Sequence, residues 1–149
     1  MQSIKKNIHT ALFGSFMFLQ LALLGLGNHA GEGWLSEDKR ELIYYNRQVL
    51  EIFGCETGSE FRTLTGGTFE GMVYKDDFNR IQDSIDDQIN AEEGNGMDHV
   101  IYRIIRKDGS IRWIDDYGHF SHSEDFGDIY YVFINDITEA YESRMKNKN

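Results

Sequence analysis

The stretch from His99 to Thr138 leaves this chain few folds to choose from. Val100, Tyr102 and Ile104 alternate with Ile101, Arg103 and Ile105, the period of a strand with two different faces. Lys107-Asp108-Gly109-Ser110 supplies an Asp-Gly pair for a tight hairpin turn, with both central residues expected at positive φ. Ile111 to Ser121 is the return strand and carries Trp113, Tyr117 and Phe120. A loop at Ser123 to Asp128 leads into a third apolar run, Ile129 to Asn135. Asp136-Ile137-Thr138-Glu139 then has the form of a helix N-cap with a carboxylate three residues on. Three antiparallel strands that empty straight into a helix make a sheet stiffly coupled to an exit helix, which is the layout of a transmitter.

Length and charge narrow the possibilities further. A chain of 149 residues with 40% apolar content builds one real core and is too short for two ordinary domains. Its net charge of -10 repels phosphate backbones, so no nucleic-acid partner is expected. Cys55 is the single cysteine, which excludes an intramolecular disulfide and a multi-thiolate metal site. That fits the reducing cytoplasm, the expected location. Proline is absent, so the glycines make the turns.

Ahead of the three strands the chain reads as two shorter strands and a set of helices. Trp34-Leu35 starts a strand that turns at Glu37 to Arg40, and Glu41 to Tyr45 pairs back on it. Asn46 is a good N-cap for Arg47 to Phe53, with Gly54 as the stop. Thr57-Gly-Ser-Glu60 is a capping box opening a second short helix through Phe61 and Leu64. Thr65 to Gly71 is too glycine-rich for regular structure. Asp76 or Asp77 caps the longest internal helix, whose buried face is Phe78, Ile81, Ile85 and Ile89. Residues 1–30 form a leader. Its positions Ile8, Leu12, Ser15, Leu19, Ala22 and Leu26 alternate in steps of four and three, the seam spacing of a packing or dimerisation helix. The apolar run 11–27 also fits a membrane anchor or signal peptide, although Asn28-His29 suits a cleavage site poorly.

In that order the motifs resemble a PAS domain with its C-terminal PAC half, of the PAS fold-3 type. The resemblance rests on Ile43-Tyr-Tyr-Asn46 entering a helix that ends Ile52-Phe-Gly54, on Tyr102-Arg103 with Arg106-Lys-Asp-Gly109 and Trp113, and on Asp136-Ile-Thr138. It covers about residues 31–142. One departure is Tyr74-Lys75-Asp76-Asp77, where many members carry His-Pro-Asp-Asp. The resemblance implies an α+β fold: a five-stranded antiparallel sheet, short helices on one face, and a small cavity between them. It divides the chain into the leader 1–30, a sensory domain 31–138 and the start of a signalling helix 139–149. It implies a non-catalytic sensory module of bacterial signal transduction that passes its state to a downstream diguanylate cyclase (GGDEF) or histidine kinase. A homodimer through the flanking helices is the expected assembly, and a structural dimer module without ligand is the alternative.

Within that frame the expected ligand pocket is Asn46, Phe53, Phe61, Phe69, Met72, Tyr102, Trp113, Tyr131, Phe133 and Asn135, aromatic walls with a few polar groups. The same rings can instead fill the cavity themselves. Asp136, Ile137, Thr138 and Glu139 form the expected output joint. Neither haem nor flavin is expected, and no cofactor is identified. The long helix has no histidine to ligate haem, and Cys55 follows Gly54, whereas the adduct-forming cysteine of LOV-type members sits in an Asn-Cys-Arg-Phe stretch after the third helix. Asp115, Asp116, His119 and His122 suggest a metal or acid-base cluster, with Asp116 or His119 as base in an enzyme reading. Alternation, however, puts the two aspartates on opposite faces. Arg103, Arg106, Lys107 and Arg112 suggest an anion site, or solvated strand faces with Arg103 paired to Asp115.

Overall fold

The computed structural model describes residues 30–36, 41–125 and 127–149. The leader through residue 29 and the turn at 37–40 lie outside the described residues. The chain runs β1 (Gly31–Ser36), β2 (Leu42–Tyr45), α1 (Arg47–Ile52), α2 (Gly58–Thr65), α3 (Phe69–Met72) and α4 (Phe78–Asn90). It continues through β3 (Met97–Ile105), β4 (Ile111–Ser123), β5 (Gly127–Asp136) and α5 (Thr138–Asn147). The strands form one antiparallel sheet in the order β2-β1-β5-β4-β3, so the last strand returns between the first strand and the hairpin.

Side-chain alternation divides the sheet into two unlike faces. Leu35, Val100, Tyr102, Ile104, Ile114, Tyr130 and Ile134 face the helices and pack on Val49, Phe53, Phe61, Phe69, Ile81 and Ile85. Each such apolar side chain contributes about 1.5–3 kcal/mol by leaving water. The opposite face carries a smaller cluster, Ile129 and Tyr131 with Trp34, Tyr117 and Phe133.

Local chemistry sets the helix boundaries. The Asn46 side chain accepts from the Val49 N–H and opens α1, and Thr57 Oγ1 accepts from the Glu60 N–H and opens α2. The Glu60 carboxylate reaches back across the start of the helix and accepts from the Glu56 N–H at 2.9 Å. Gly66 ends α2 at a φ of 69°. The glycine-rich stretch is more regular than its composition predicts: Thr68 Oγ1 accepts from the Gly71 N–H at 3.1 Å and starts α3. Gly71 is needed because a Cβ there would overlap the Thr65 carbonyl oxygen. The hairpin also differs from expectation. Only Gly109 has positive φ, the Gly109 N–H donates to the Arg106 carbonyl at 2.9 Å, and Asp108 Oδ1 accepts from the Ser110 N–H. This loop is longer than the two-residue turn, with glycine at its one left-handed position.

Strand β3 lies at an edge of the sheet, and α4 and the turn before it cover its backbone. The Gln88 side chain accepts from the His99 N–H at 2.8 Å and donates to the His99 carbonyl at 3.1 Å. Two pairs further along, the Arg103 N–H donates to Asp77 Oδ2 and the Arg103 carbonyl accepts from the Tyr74 N–H. These contacts blunt an edge that would otherwise present unpaired groups.

Candidate functional site

Six of the ten expected pocket residues fall on the helix side of the sheet. Phe53, Phe61, Phe69, Met72 and Tyr102 are buried there, with Phe53 edge-on to Phe61 at 5.1 Å and Phe69 edge-on to Tyr102 at 5.9 Å. Asn46 has a joining role, accepting from the Glu32 N–H at 3.0 Å while it caps α1. The other four do not line this interior. Trp113, Tyr131, Phe133 and Asn135 stand on the opposite face, because β5 turns Tyr130, Val132 and Ile134 toward the helices and register places Asn135 beside Asp115. Both faces of β5 are apolar, so alternation alone does not show which one points inward.

The interior is nearly full. Two small, partly open spaces of about 20 and 10 Å³ remain between sheet and helices, the larger beside Leu35, Phe69, Ile85, Asp98, Asp116 and Tyr130. Each has room for about one water. Beside the larger space the Tyr102 hydroxyl donates to Asp116 Oδ2 at 2.6 Å, with Asp116 only 2% exposed and Asp98 5% exposed. Burial pushes the Asp116 carboxyl well above the ordinary carboxylate range, and the neighbouring Asp98 adds to the shift. These two aspartates were not among the expected pocket residues. The signal for Asp116 is its place on the face shared by Ile114, opposite Val100.

The acid-base cluster does not assemble. Asp115 bonds the His99 imidazole on the far face, His119 sits opposite Tyr131, and His122 bonds Asp128 at 2.5 Å. The basic cluster is engaged residue by residue. Arg103 pairs with Asp77 rather than with Asp115, Arg106 donates to the Glu51 carbonyl, Lys107 pairs with Glu60, and Arg112 pairs with Asp136. Cys55 is buried after α1, with its Sγ 3.8 Å from the Phe53 carbonyl.

The densest polar geometry is at the start of α5. Asp136 Oδ1 accepts from the Thr138 N–H at 3.0 Å and from the Thr138 hydroxyl at 2.5 Å, while Oδ2 accepts from Arg112 Nε at 2.8 Å. Thr138 Oγ1 in turn accepts from the Trp113 N–H at 2.9 Å, and the Trp113 carbonyl accepts from the Ile137 N–H at 2.9 Å. Burial alone would raise the Asp136 carboxyl, but the Thr138 and Arg112 bonds outweigh it and hold it below the usual range. The N-cap position belongs to Ile137, which makes no side-chain cap bond, so Asp136 acts one residue earlier than the capping-box pattern predicts. Glu139 lies in the first turn of α5. Further along the helix, Tyr141 stacks on Trp113 with centroids 4.0 Å apart.

A five-stranded antiparallel sheet in this order, helices on one face and a helix locked to the end of the last strand define a small α+β module. The family model described as PAS fold matches residues 42–135, and the chain belongs to that family of non-catalytic sensory domains. Solved structures share the fold. A sensory box histidine kinase/response regulator from Burkholderia thailandensis aligns with a TM-score of 0.63 at 18% identity, covering 87% of this chain and 92% of that one. The N-terminal domain of a diguanylate cyclase with PAS/PAC sensor from Marinobacter aquaeolei aligns at 0.53 with 17% identity, covering 75% and 98%. A PAS domain of a LuxR-family transcriptional regulator from Burkholderia thailandensis, in complex with ethanol, aligns at 0.55 with 22% identity, covering 72% and 88%. A search of the curated proteins gives no match. Among the described residues no helix is long and apolar enough to cross a membrane.

Proposed function

We propose that this chain is a sensory PAS module of bacterial signal transduction whose output is the seating of α5 on the sheet. The observation that carries the reading is the Asp136–Thr138–Trp113–Arg112 network, which ties the first turn of α5 to β4 as well as to β5. A change in how β4 and β5 lie is felt at once by the helix, and a partner or ligand acts by favouring one of two such arrangements. The downstream domain is a diguanylate cyclase or a histidine kinase, supported by the kind of protein from which the similar domains come.

The input is a small ligand or a partner protein. The two small spaces between sheet and helices hold about one water each, so a larger ligand fits there only if the helix side opens, whereas a cleft of about 510 Å³ beside Leu64, Met72, Phe78 and Ile105 is open already. That observation also favours a second reading, a self-packed homodimer module. Native mass spectrometry and an absorption spectrum of freshly purified protein separate them. A bound small molecule supports ligand sensing, whereas a clean apo mass supports the dimer module. In the latter case, removing residues 1–27 is expected to turn a dimer into a monomer on sedimentation, and an unchanged dimer rejects the leader as its seam. Normal signalling by Asp136→Ala in a full-length parent rejects transmission through the joint.

A further inference from the structure

Asp77 stands at the N-cap position of α4, yet its side chain makes no cap bond to that helix. The carboxylate turns to β3 instead. Its Oδ2 accepts from the Arg103 N–H at 3.0 Å and from Arg103 Nε at 2.9 Å, and its Oδ1 accepts from Nη2 at 2.5 Å. The Arg103 fork outweighs burial and holds the Asp77 carboxyl below the usual range. A two-pronged bond of this kind fixes the plane of the guanidinium.

That plane rests on two rings. The Arg103 guanidinium lies 4.4 Å from the Tyr74 centroid and 5.7 Å from the Trp113 centroid. Trp113 belongs to the face away from α4, and its ring is the one on which Tyr141 stacks, 4.0 Å away and tilted by 24°. Its peptide groups also hold Ile137 and Thr138. One arginine therefore reaches from the start of α4, around the β3 edge, to the ring that carries α5.

We infer that Arg103 is a positioning residue coupling the N-terminus of α4 to the seating of α5, by a route around the sheet edge rather than through the interior. The coupling goes beyond the proposed function and requires no ligand: a shift of α4 retilts the guanidinium, and Trp113 passes the tilt to Tyr141. It also gives a role to the Tyr74 to Asp77 segment, which supplies both the carboxylate and a ring.

Hydrogen exchange on the whole chain, read by mass spectrometry for peptides covering α4, β4–β5 and α5, tests it. Arg103→Lys keeps the charge and loses the fork, and Asp77→Asn weakens the fork from the other side. Both are expected to speed α5 exchange about fivefold with β4 and β5 unchanged. Tyr141→Ala loosens α5 directly, and adding Arg103→Lys to it is expected to bring no further increase. Lys107→Gln, which breaks the separate pair with Glu60, is expected to leave α5 at its original rate. A role confined to holding α4 would speed α4 exchange and leave α5 unmoved, which overturns the inference. Multiplying rates in the Arg103→Lys/Tyr141→Ala double variant overturn it equally. Should Asp77→Asn loosen the whole fold, the Arg103→Lys series decides alone.

Discussion

Replacing Asp136 by alanine removes three hydrogen bonds at the point where β5 becomes α5, and the structure allows the cost to be worked out bond by bond. The bond from the Thr138 N–H serves the first turn of α5 as a cap does, and such bonds contribute about 1 kcal/mol. The Arg112 pair is partly open to solvent, with side chains 30% and 23% exposed, and contributes about 0.5 kcal/mol after screening. Thr138 is buried, and its hydroxyl loses its acceptor, a further cost of about 1 kcal/mol. The sum is roughly 2–3 kcal/mol, more than a single lost cap. In urea denaturation this appears as a midpoint lowered by about 1–2 M with the slope unchanged. Thr138→Val removes one of the same bonds, that from the hydroxyl, together with the Trp113 N–H bond it anchors, so the double variant is expected to cost clearly less than the two single losses added together. A loss below about 0.5 kcal/mol for Asp136→Ala, or strict additivity with Thr138→Val, refutes the idea that these bonds act as one joint.

Further outcomes follow from the same geometry. Asp116→Asn keeps an acceptor for the Tyr102 hydroxyl and removes the cost of a buried acid. Because the folded carboxyl is raised, wild-type stability falls as pH climbs from the unfolded value toward the folded one, so the variant should melt a few degrees higher at neutral pH with a flatter pH profile. An identical profile would show that Asp116 is not the group responsible. Asp77 and Asp136 have the opposite sign: their depressed values stabilise above the unfolded carboxylate range, and that stability disappears as pH falls below about 4. Thermal melts between neutral and acidic pH should show α5 loosening in that window, and the loss should shrink in Asp136→Asn. Gly71→Ala drives a methyl group into the Thr65 carbonyl and is expected to cost about 3 kcal/mol or more, measured by denaturant midpoint; a neutral result would mean the α2–α3 turn yields freely.

Much of the fold was legible because its signals are local. The alternation in β3, the asparagine and threonine caps at Asn46 and Thr57, and the isoleucine spacing of α4 each lie within a few residues and report directly on backbone conformation. The candidate site was legible only in part. Five aromatic and methionine positions fall in the interior as expected, but Trp113, Tyr131 and Phe133 are as apolar as their neighbours and belong to the other face. What separates them is register across the sheet, which joins residues far apart in the chain. Distance in sequence also hid the partners of Asp77 and Gln88, which meet β3 residues 26 and 11 positions away. The interior places of Asp98 and of Asp116, the latter expected only as a candidate base or metal ligand, were hidden for another reason: a carboxylate reads as a surface group until its strand neighbours show which way it points.

The coverage of the β3 edge by Gln88, Asp77 and Tyr74 bears on how copies of this protein can meet. The Gln88 amide offers His99 the same donor and acceptor that a neighbouring strand would offer, so α4 acts as a counterfeit sixth strand on which the ladder terminates. A second molecule arriving at this edge finds the His99 and Arg103 peptides already spoken for and cannot extend the sheet there without first prying α4 away. Growth by strand addition is thus closed on this side of the sheet, whose other edge is β2.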